Sequence, residues 1–264
     1  MLSTIYHKKK KQSIWAIYAF CRQVDDSIDL EKDANKLKIL RKVIVTLFEN
    51  GDKSSEIEHT RLNYALRDTL QKFSFQEAPF LTLIDTVKQD LAFQQPETET
   101  ELMNYCYGAA GTVGEMLLPI LARENLELAR QSAISLGQAM QLTNILRDVG
   151  EDFFEGRIYF SKEKMREFDV DLYKVLQGDN KENYIQLWEY YAEQANHLYQ
   201  KALQGINLFD SDSQFVIQLA ARIYGGILDE VRENNYTLKK RVKVSFLKKK
   251  QIFKEIQANK VYSK

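Results

Sequence analysis

Two short acidic runs are the residues of this sequence whose types and spacing best suit chemistry. The first run is RQVDDSID at residues 22–29, and the second is NILRDVGED at residues 144–152. Residues four apart share one face of a helix, and like charges one turn apart repel each other. Asp25 and Asp29 form one group with this spacing. Asn144 and Asp148 form a second group, which Asp152 joins if the helix continues past Gly150. The pattern predicts a cation held between the two runs.

The residue types of the two runs favour Mg²⁺. Carboxylate and amide oxygens suit a hard cation that keeps some of its waters and is completed by substrate phosphates. The three histidines, His7, His59 and His197, lie far apart in the sequence. Cys21 and Cys106 form no Cys-x-x-Cys motif, so the spacing argues against a zinc site.

Arginines accompany both acidic runs. Arg22 and Arg147 lie inside them, and Arg157 follows the second run. The planar guanidinium group matches phosphate oxygens, so acids and arginines together indicate a metal and diphosphate site rather than a glycosidase-type carboxylate pair. A single run of this kind is usually a solvated face with salt bridges. Two such runs make that interpretation the weaker one.

The elements that must position these runs are helices. The chain has 264 residues with only 3 prolines and 11 glycines, too few for a sandwich or barrel that turns every eight to twelve residues. Apolar residues recur at helical spacing. The predicted helices are residues 14–29, 37–50, 61–73, 80–93, 101–122, 126–149, 183–207 and 213–234. The sequence has no repeat, linker or composition break, so we expect one all-α domain over residues 1–264.

The two most apolar predicted helices, residues 101–122 and 126–149, are expected to form the centre of the molecule. Residues 102–122 carry one charge, Glu115, and their glycines and proline favour a core helix over a membrane segment. The small residues of 108–114 either leave space beside the helix or allow close helix packing. Tyr105 and Tyr224 either offer aromatic faces to a cation in an apolar cavity or belong to an ordinary core.

Three sequence regions resemble the signature regions of the squalene/phytoene synthases, especially the bacterial dehydrosqualene (diapophytoene) synthases of carotenoid biosynthesis. They read YAFCRQVDDSID, YCYGAAGTVGEM and QLTNILRDVGEDFFEGRIYFS, and the similarity extends from about Ile14 to the C-terminus. The resemblance implies an all-α isoprenoid synthase bundle with a central cavity. It also implies that two farnesyl diphosphates condense head to head, through a cyclopropyl diphosphate intermediate, to dehydrosqualene and diphosphate.

The resemblance also implies roles for individual residues. Asp25, Asp29, Asn144, Asp148 and Asp152 would hold Mg²⁺, with more than one ion, and the four aspartates together with Tyr105 would carry catalysis. Diphosphate would be bound by Arg22, Arg147, Arg157 and Tyr159, the last two from a flap that closes over it. The cavity wall and polar contacts would come from Tyr18, Tyr105, Ala109, Val113, Leu117, Leu136, Met140, Gln141 and Tyr224.

The sequence departs from the family at its beginning. Family members carry an upstream helix with a Ser/Phe-rich piece that contacts diphosphate, whereas only STIYHKKKKQS precedes Ile14 after Met1 and Leu2. We therefore expect the usual N-terminal helix to be shortened. The expectation is that this chain is less active or less stable than a version extended upstream.

Several alternatives stay open on the sequence. The enzyme could be a phytoene synthase that uses longer substrates, a squalene synthase that reduces its product with NADPH, or a terpene cyclase. No GxGxxG motif supports a Rossmann site, and the resemblance favours the product that needs no NADPH. A catalytically silent relative acting as an assembly factor should have lost acids from one run, and both runs are intact.

The net charge is zero, from 37 basic and 37 acidic residues, which argues against a surface built for nucleic acid. No signal peptide is evident, so we expect a cytoplasmic protein. Residues 239–264 nevertheless contain ten basic residues and one acidic, a net charge of +9. Their Phe246, Phe253 and Val261 suit peripheral contact with an anionic membrane, with a solvated helical tail as the alternative. The oligomeric state is open.

Overall fold

The chain folds into α-helices, with no strand in the part that the computed structural model describes, residues 8–29, 32–50 and 60–262. The all-α prediction is confirmed. In chain order the helices are α1 Lys8–Asp29, α2 Ala34–Asn50, α3 Arg61–Lys72, α4 Ala78–Gln89, α5 Glu99–Cys106, α6 Thr112–Leu121, α7 Leu126–Phe154, α8 Lys162–Glu167, α9 Leu172–Gln177, α10 Lys181–Gln204, α11 Ser211–Glu233 and α12 Phe246–Tyr262. Short 3-10 turns at Asp90–Ala92 and Ile206–Leu208 extend α4 and precede α11.

The predicted helix over residues 101–122 is interrupted by a π-helical turn, Tyr107–Gly111, between α5 and α6. The cause is close packing against α7. A Cβ added at Gly137 would lie 2.1 Å from the carbonyl oxygen of Ala110, so α7 approaches the turn backbone to backbone. The Thr112 hydroxyl donates to the carbonyl oxygen of Gly108 at 2.8 Å within the same turn. The segment therefore packs closely on its α7 side, while Ala109 lines a cavity.

Helix α7 is the longest described helix and packs against α5, α10 and α11 in the larger core cluster. Trp188 of α10 is fully buried, and its indole Nε1 donates to the carbonyl oxygen of Leu146 at 2.9 Å. That bond fixes α10 beside the acidic run of α7. The helix does not stop at Gly150 as the sequence could suggest, so Asp152 stays on it.

A second core cluster joins α1 to α2, α4 and α6. Helix α1 contributes a buried stripe of Ile17, Phe20 and Val24, and the rings of Phe20 and Phe80 lie 5.3 Å apart. Both Cys21 and Cys106 are buried free thiols. This packing turns the acidic end of α1 toward the helices that carry the second run.

The start of α1 is anchored to the start of α11 by a buried charge cluster. The Lys10 ammonium, 7% exposed, donates to Asp210 at 3.1 Å, to Asp212 at 2.6 Å and to Ser213 at 2.7 Å. Arg123 donates to the same Asp210 carboxylate at 2.7 Å. A buried ammonium is tolerated when it is paired in this way, so the cluster fixes the position of α1 along the bundle.

The segment between α11 and α12, residues 234–245, crosses α7 as a strap. Its Val242 and Val244 are buried, and its Leu238 carbonyl lies so close to Gly150 that a Cβ there would be 1.8 Å away. Helix α12 then packs on α11 through Ile252 and Ile256. No helix in the described ranges combines the length and apolarity needed to cross a membrane.

Candidate active site

The second acidic run lies on the last turns of α7. Asn144, Asp148 and Asp152 follow one another at four-residue spacing on this helix. The Asp148 carboxylate is held by two guanidinium groups. Arg147 donates from Nε to Oδ1 at 2.7 Å, and Arg241 donates from Nη2 to Oδ2 at 3.0 Å. The structure thus brings both an amide oxygen and paired carboxylates to one face of α7.

The first acidic run forms the end of α1. Asp25 lies on the wall of the same cavity as Asp148 and Asp152, so the structure brings together the two runs that are far apart in sequence. Arg22 instead forms a salt bridge with Asp26 at 2.9 Å and is largely exposed. Asp29 lies in α1, but its side chain is outside the described residues.

The cavity between the runs has a volume of about 230 Å³. Its wall combines acidic, amide, basic, phenolic and apolar groups from α1, α4, the π-helical turn, α7 and the loop after α7. The lining residues are Asp25, Val87, Asp90, Tyr105, Ala109, Gln141, Asn144, Ile145, Asp148, Asp152, Arg157 and Tyr159. Nine of the eighteen site residues predicted from sequence lie on this wall: Asp25, Tyr105, Ala109, Gln141, Asn144, Asp148, Asp152, Arg157 and Tyr159.

The cavity disfavours an unneutralised negative charge at Asp152. Burial, followed by the charge of Asp148, raises the pKa of the Asp152 carboxyl to about 7, although Arg157 opposes the shift. A carboxyl that is desolvated beside a like charge holds its proton until a positive charge arrives. The electrostatics of the cavity therefore favour a cation.

A phenol network closes one side of the cavity. The Tyr105 hydroxyl donates to Asp90 Oδ2 at 3.2 Å and lies 3.3 Å from the Tyr159 hydroxyl. Burial is the main cause that raises the pKa of Tyr105 well above its ordinary value, so its phenol stays protonated and can donate. The rings of Phe93 and Tyr105 each lie 5.0 Å from the Tyr159 ring. The network sets an aromatic wall beside the carboxylates.

The loop after α7, residues 155–161, brings Arg157 and Tyr159 to the cavity. Gly156 has φ +79°, a left-handed conformation that favours glycine, and the chain reverses there. The Arg157 amide then donates to the Asp152 carbonyl at 2.8 Å, and the Arg157 side chain contacts Glu155. Gln95 fixes the far end of the loop by donating to the carbonyl oxygen of Phe160 at 2.8 Å.

Two residues of this site were missed by the sequence reasoning. Asp90 lies in the 3-10 turn after α4, and Arg241 lies on the strap. In the sequence, Asp90 is an acid near the end of an amphipathic helix, and Arg241 belongs to the basic C-terminal region. Neither spacing nor composition indicated that these two side chains meet the α7 run.

The remaining predicted residues do not belong to the described cavity wall. Tyr18 is 64% exposed on α1, and Arg147 contacts the cavity through Asp148. The others are partly buried apolar residues packed against the core clusters: Val113 and Leu117 beside α1, α2 and α4, and Leu136, Met140 and Tyr224 beside α7, α10 and α11. Their role as substrate wall stays a prediction.

The chemical types of the donor atoms in the cavity fit a hard cation. Carboxylate oxygens of Asp25, Asp148 and Asp152 and the Asn144 amide are the ligands that Mg²⁺ accepts. Among the described side chains, no three His, Cys, Asp or Glu groups are close enough to form a ready-made metal cluster. Asp148 is neutralised by guanidinium groups in this arrangement, so a metal would replace or share those partners.

The family model described as squalene/phytoene synthase matches residues 1–248 of the chain. Over 258 residues the chain is 43% identical to a 4,4'-diapophytoene synthase of Staphylococcus haemolyticus, covering 95% of this chain and 88% of that protein. It is 32% identical to a 15-cis-phytoene synthase of a Synechocystis species, covering 87% of this chain and 71% of that one.

Solved structures agree with these relatives. A crystal structure of a dehydrosqualene synthase in complex with ligand superimposes with a TM-score of 0.88 and 36% identity, covering 99% of this chain and 90% of that one. A squalene synthase from Alicyclobacillus acidocaldarius gives a TM-score of 0.78 at 21% identity, covering 89% of this chain and 88% of that one. At that identity the second comparison shows the fold alone. The fold is that of the isoprenoid synthases, as the resemblance implied.

Proposed function

Because the chain belongs to the squalene/phytoene synthase family, we propose that it condenses two farnesyl diphosphates head to head. The products are dehydrosqualene, two diphosphates and two protons, which the diphosphates can take up, and no reduction by NADPH is needed. The observation that carries this proposal is the cavity where Asp25 of α1 meets Asn144, Asp148 and Asp152 of α7 beside an arginine. The relatives named diapophytoene synthase and dehydrosqualene synthase support this product class.

The acidic runs would hold Mg²⁺, with Asp25, Asn144, Asp148 and Asp152 as ligands and Asp29 as a further candidate. When bound, the ions would neutralise the diphosphate and stabilise it as it leaves the allylic carbon. The raised pKa of Asp152 supports this role, because its causes, burial and the charge of Asp148, are those that a cation would offset.

Guanidinium groups would bind the leaving diphosphate from the rim of the cavity. Arg147 and Arg241 hold Asp148, and Arg157 lines the wall. Each presents a planar fork that matches phosphate oxygens. If Asp148 held a cation, Arg147 and Arg241, which contact it here, would be free to bind the diphosphate. Arg22 would first have to leave its salt bridge with Asp26.

The aromatic side of the cavity would protect the cation that remains after ionisation. Tyr105 and Tyr159 present rings beside the carboxylates, and a desolvated cation over such a ring is stabilised by about 2 kcal/mol. The protonated Tyr105 phenol is a hydrogen-bond donor and a poor nucleophile, so it would not capture the cation. Formation of the cyclopropyl diphosphate and its second ionisation need the same exclusion of water.

The test is incubation of the purified protein with farnesyl diphosphate and Mg²⁺, with and without NADPH, and identification of the hydrocarbon. We expect dehydrosqualene in both reactions and none after chelation of the metal. Recovery of only farnesol or a cyclic terpene would overturn the head-to-head assignment. Competition between farnesyl and geranylgeranyl diphosphate distinguishes the diapophytoene from the phytoene reaction.

Carboxamide variants test the residues. Asp25→Asn and Asp148→Asn keep the side-chain volume and remove one charge each, so we expect turnover to fall at least about 100-fold, consistent with loss of a positioned electrostatic group. Asp68→Asn is the matched control, because Asp68 is half exposed and pairs with Lys72 on α3. Wild-type turnover in either cavity variant would refute the metal-site assignment.

A further inference from the structure

The strap and the start of α12 form a basic surface that the proposed reaction does not use. Residues 239–254 contain eight Lys or Arg residues and no acidic one. Within this C-terminal basic surface, two large apolar side chains are exposed: Phe246 is 79% exposed and Leu247 is 77% exposed. Single exposed apolar residues are ordinary, but an adjacent pair surrounded by lysines is a patch of mixed character.

The backbone gives this surface a fixed orientation. On the strap, Val242 and Val244 are buried while Lys243 is exposed, which is the alternation of an extended segment. On α12, Ile252 and Ile256 are buried against α11. At 100° per residue, Leu247, Lys250 and Lys254 lie on the face of α12 opposite Ile252 and Ile256, and Phe246 lies to the side, about 100° from the buried direction. The Ser245 hydroxyl accepts from the Lys248 amide at 3.2 Å and caps the helix. The surface is therefore part of the folded molecule and not a solvated tail.

Most cations of this surface are not neutralised by the protein. Lys248 pairs with Glu230 at 3.3 Å and Glu233 at 3.4 Å. Six exposed lysines make no ion pair with any residue that the structure describes: Lys239, Lys240, Lys243, Lys249, Lys250 and Lys254. The whole chain has no net charge, so an anionic partner would be attracted by a local excess of cations, and residues 239–254 carry such an excess.

The surface adjoins the mouth of the active site. Arg241 on the strap donates to Asp148 at 3.0 Å, and Phe246 follows five residues later. Five residues of extended chain span at most about 18 Å. A partner that contacts Phe246 would therefore lie within about 18 Å of Arg241, the residue that contacts Asp148 on the cavity wall.

We propose that the C-terminal basic surface docks the protein on the anionic face of a lipid bilayer, with Phe246 and Leu247 inserted below the headgroups. Lysines around an apolar pair match the layered chemistry of a bilayer, in which anionic headgroups cover hydrocarbon. A nucleic acid would bind the cations but offers no apolar layer for Leu247. A second copy of the chain would bring an equally basic surface against this one, and like charges would oppose that pairing.

Vesicle flotation of the full chain tests the proposal without substrate, so its result is independent of the proposed reaction. Vesicles of phosphatidylcholine with 30–40% phosphatidylglycerol, about the anionic content used in such assays, are compared with pure phosphatidylcholine. We expect binding to the anionic vesicles at low salt and loss of binding in about 0.5 M NaCl, where charges are screened within a few Å. Equal binding to both vesicles, or none to either, overturns the proposal.

Two variants separate the apolar and basic contributions. Phe246→Ser/Leu247→Ser should reduce the partition coefficient at least about tenfold by removing the inserted groups. Lys249→Gln/Lys250→Gln should reduce it by about tenfold or more, since each cation near an anionic surface contributes about fivefold. The matched control is Ile39→Ser/Leu128→Ser, which removes exposed apolar groups from α2 and α7 and should bind like wild type.

The stability, sedimentation and control measurements also test the membrane proposal. Thermal unfolding of each variant shows that a loss of binding is not a loss of fold. If the surface variants bind vesicles like wild type but change the sedimentation coefficient in solution, the occupant is a second copy and the membrane proposal is wrong. If the control variant loses binding as strongly as Phe246→Ser/Leu247→Ser, the attachment is nonspecific and the proposal also fails.

Discussion

Gly150→Ala tests how the strap is seated on the acidic run of α7. Gly150 lies inside α7, and an added Cβ would stand 1.8 Å from the Leu238 carbonyl oxygen and 2.6 Å from its carbon. Cβ contacts under 3.0 Å are essentially never found, so the strap must move by at least 1.2 Å. Backbone atoms cannot rotate away as the end of a flexible side chain can. The backbone of the strap must therefore shift to relieve the contact.

The free energy change is the balance of two effects. Alanine favours a helix interior over glycine by about 1 kcal/mol, while overpacking costs about 1–3 kcal/mol. Because the clash is with backbone atoms, the cost lies at the upper end of this range, so the net loss is about 2 kcal/mol, or roughly 4–8 °C in Tm for a chain of this size. Arg241 follows Leu238 by three residues, so the movement lengthens its 3.0 Å contact with Asp148 to about 4 Å, beyond hydrogen-bond range.

Differential scanning calorimetry and steady-state turnover of farnesyl diphosphate measure the two consequences. Gly225→Ala is the control, because the nearest neighbour of its added Cβ is the Tyr199 ring at 3.6 Å, an ordinary contact. That variant should gain about 0.5–1 kcal/mol from helix propensity. A Gly150→Ala protein with the Tm and turnover of wild type would refute the reasoning, because it would mean that the strap does not contact α7 as described.

Two further predictions concern the anchors of the bundle. Burial alone would raise the pKa of Asp210, but hydrogen bonds from Arg123 and Lys10 outweigh burial and lower the pKa below 3.8. Asp210→Asn should therefore lower the free energy of unfolding by about 1–3 kcal/mol above about pH 4. Because the pKa of Asp210 is lower in the folded protein, this stability is complete above pH 3.8 and is lost progressively as the pH falls from 3.8 through the folded-state pKa. A difference from wild type that stays constant between about pH 7 and pH 3 in urea titrations would contradict the prediction. Trp188→Phe removes the hydrogen-bond donor to the Leu146 carbonyl oxygen and should lower the free energy of unfolding by about 1–3 kcal/mol. Urea unfolding measures this change. An unchanged midpoint would show that this bond does not hold α10 to α7.

Much of the fold could be predicted because helical periodicity is local. The apolar stripes of α1, α7, α10 and α11 repeat every three or four residues, and each predicted helix starts within about six residues of its observed start. The split of residues 101–122 could not be predicted, since a π-helical turn depends on the approach of Gly137 from another helix. The sequence predicts that this helix ends at Val149 or continues past Gly150, because glycine is a common stop signal.

The sequence by itself determined the two acidic runs, their helical faces and the class of ligand that they suit, since residue type and i to i+4 spacing need no tertiary information. Only the tertiary structure decided that Asp90 and Arg241 belong to the site and that Lys10 anchors α1. These contacts join residues up to 203 positions apart. Such pairs depend on how the helices pack against one another, which no local pattern in the sequence encodes.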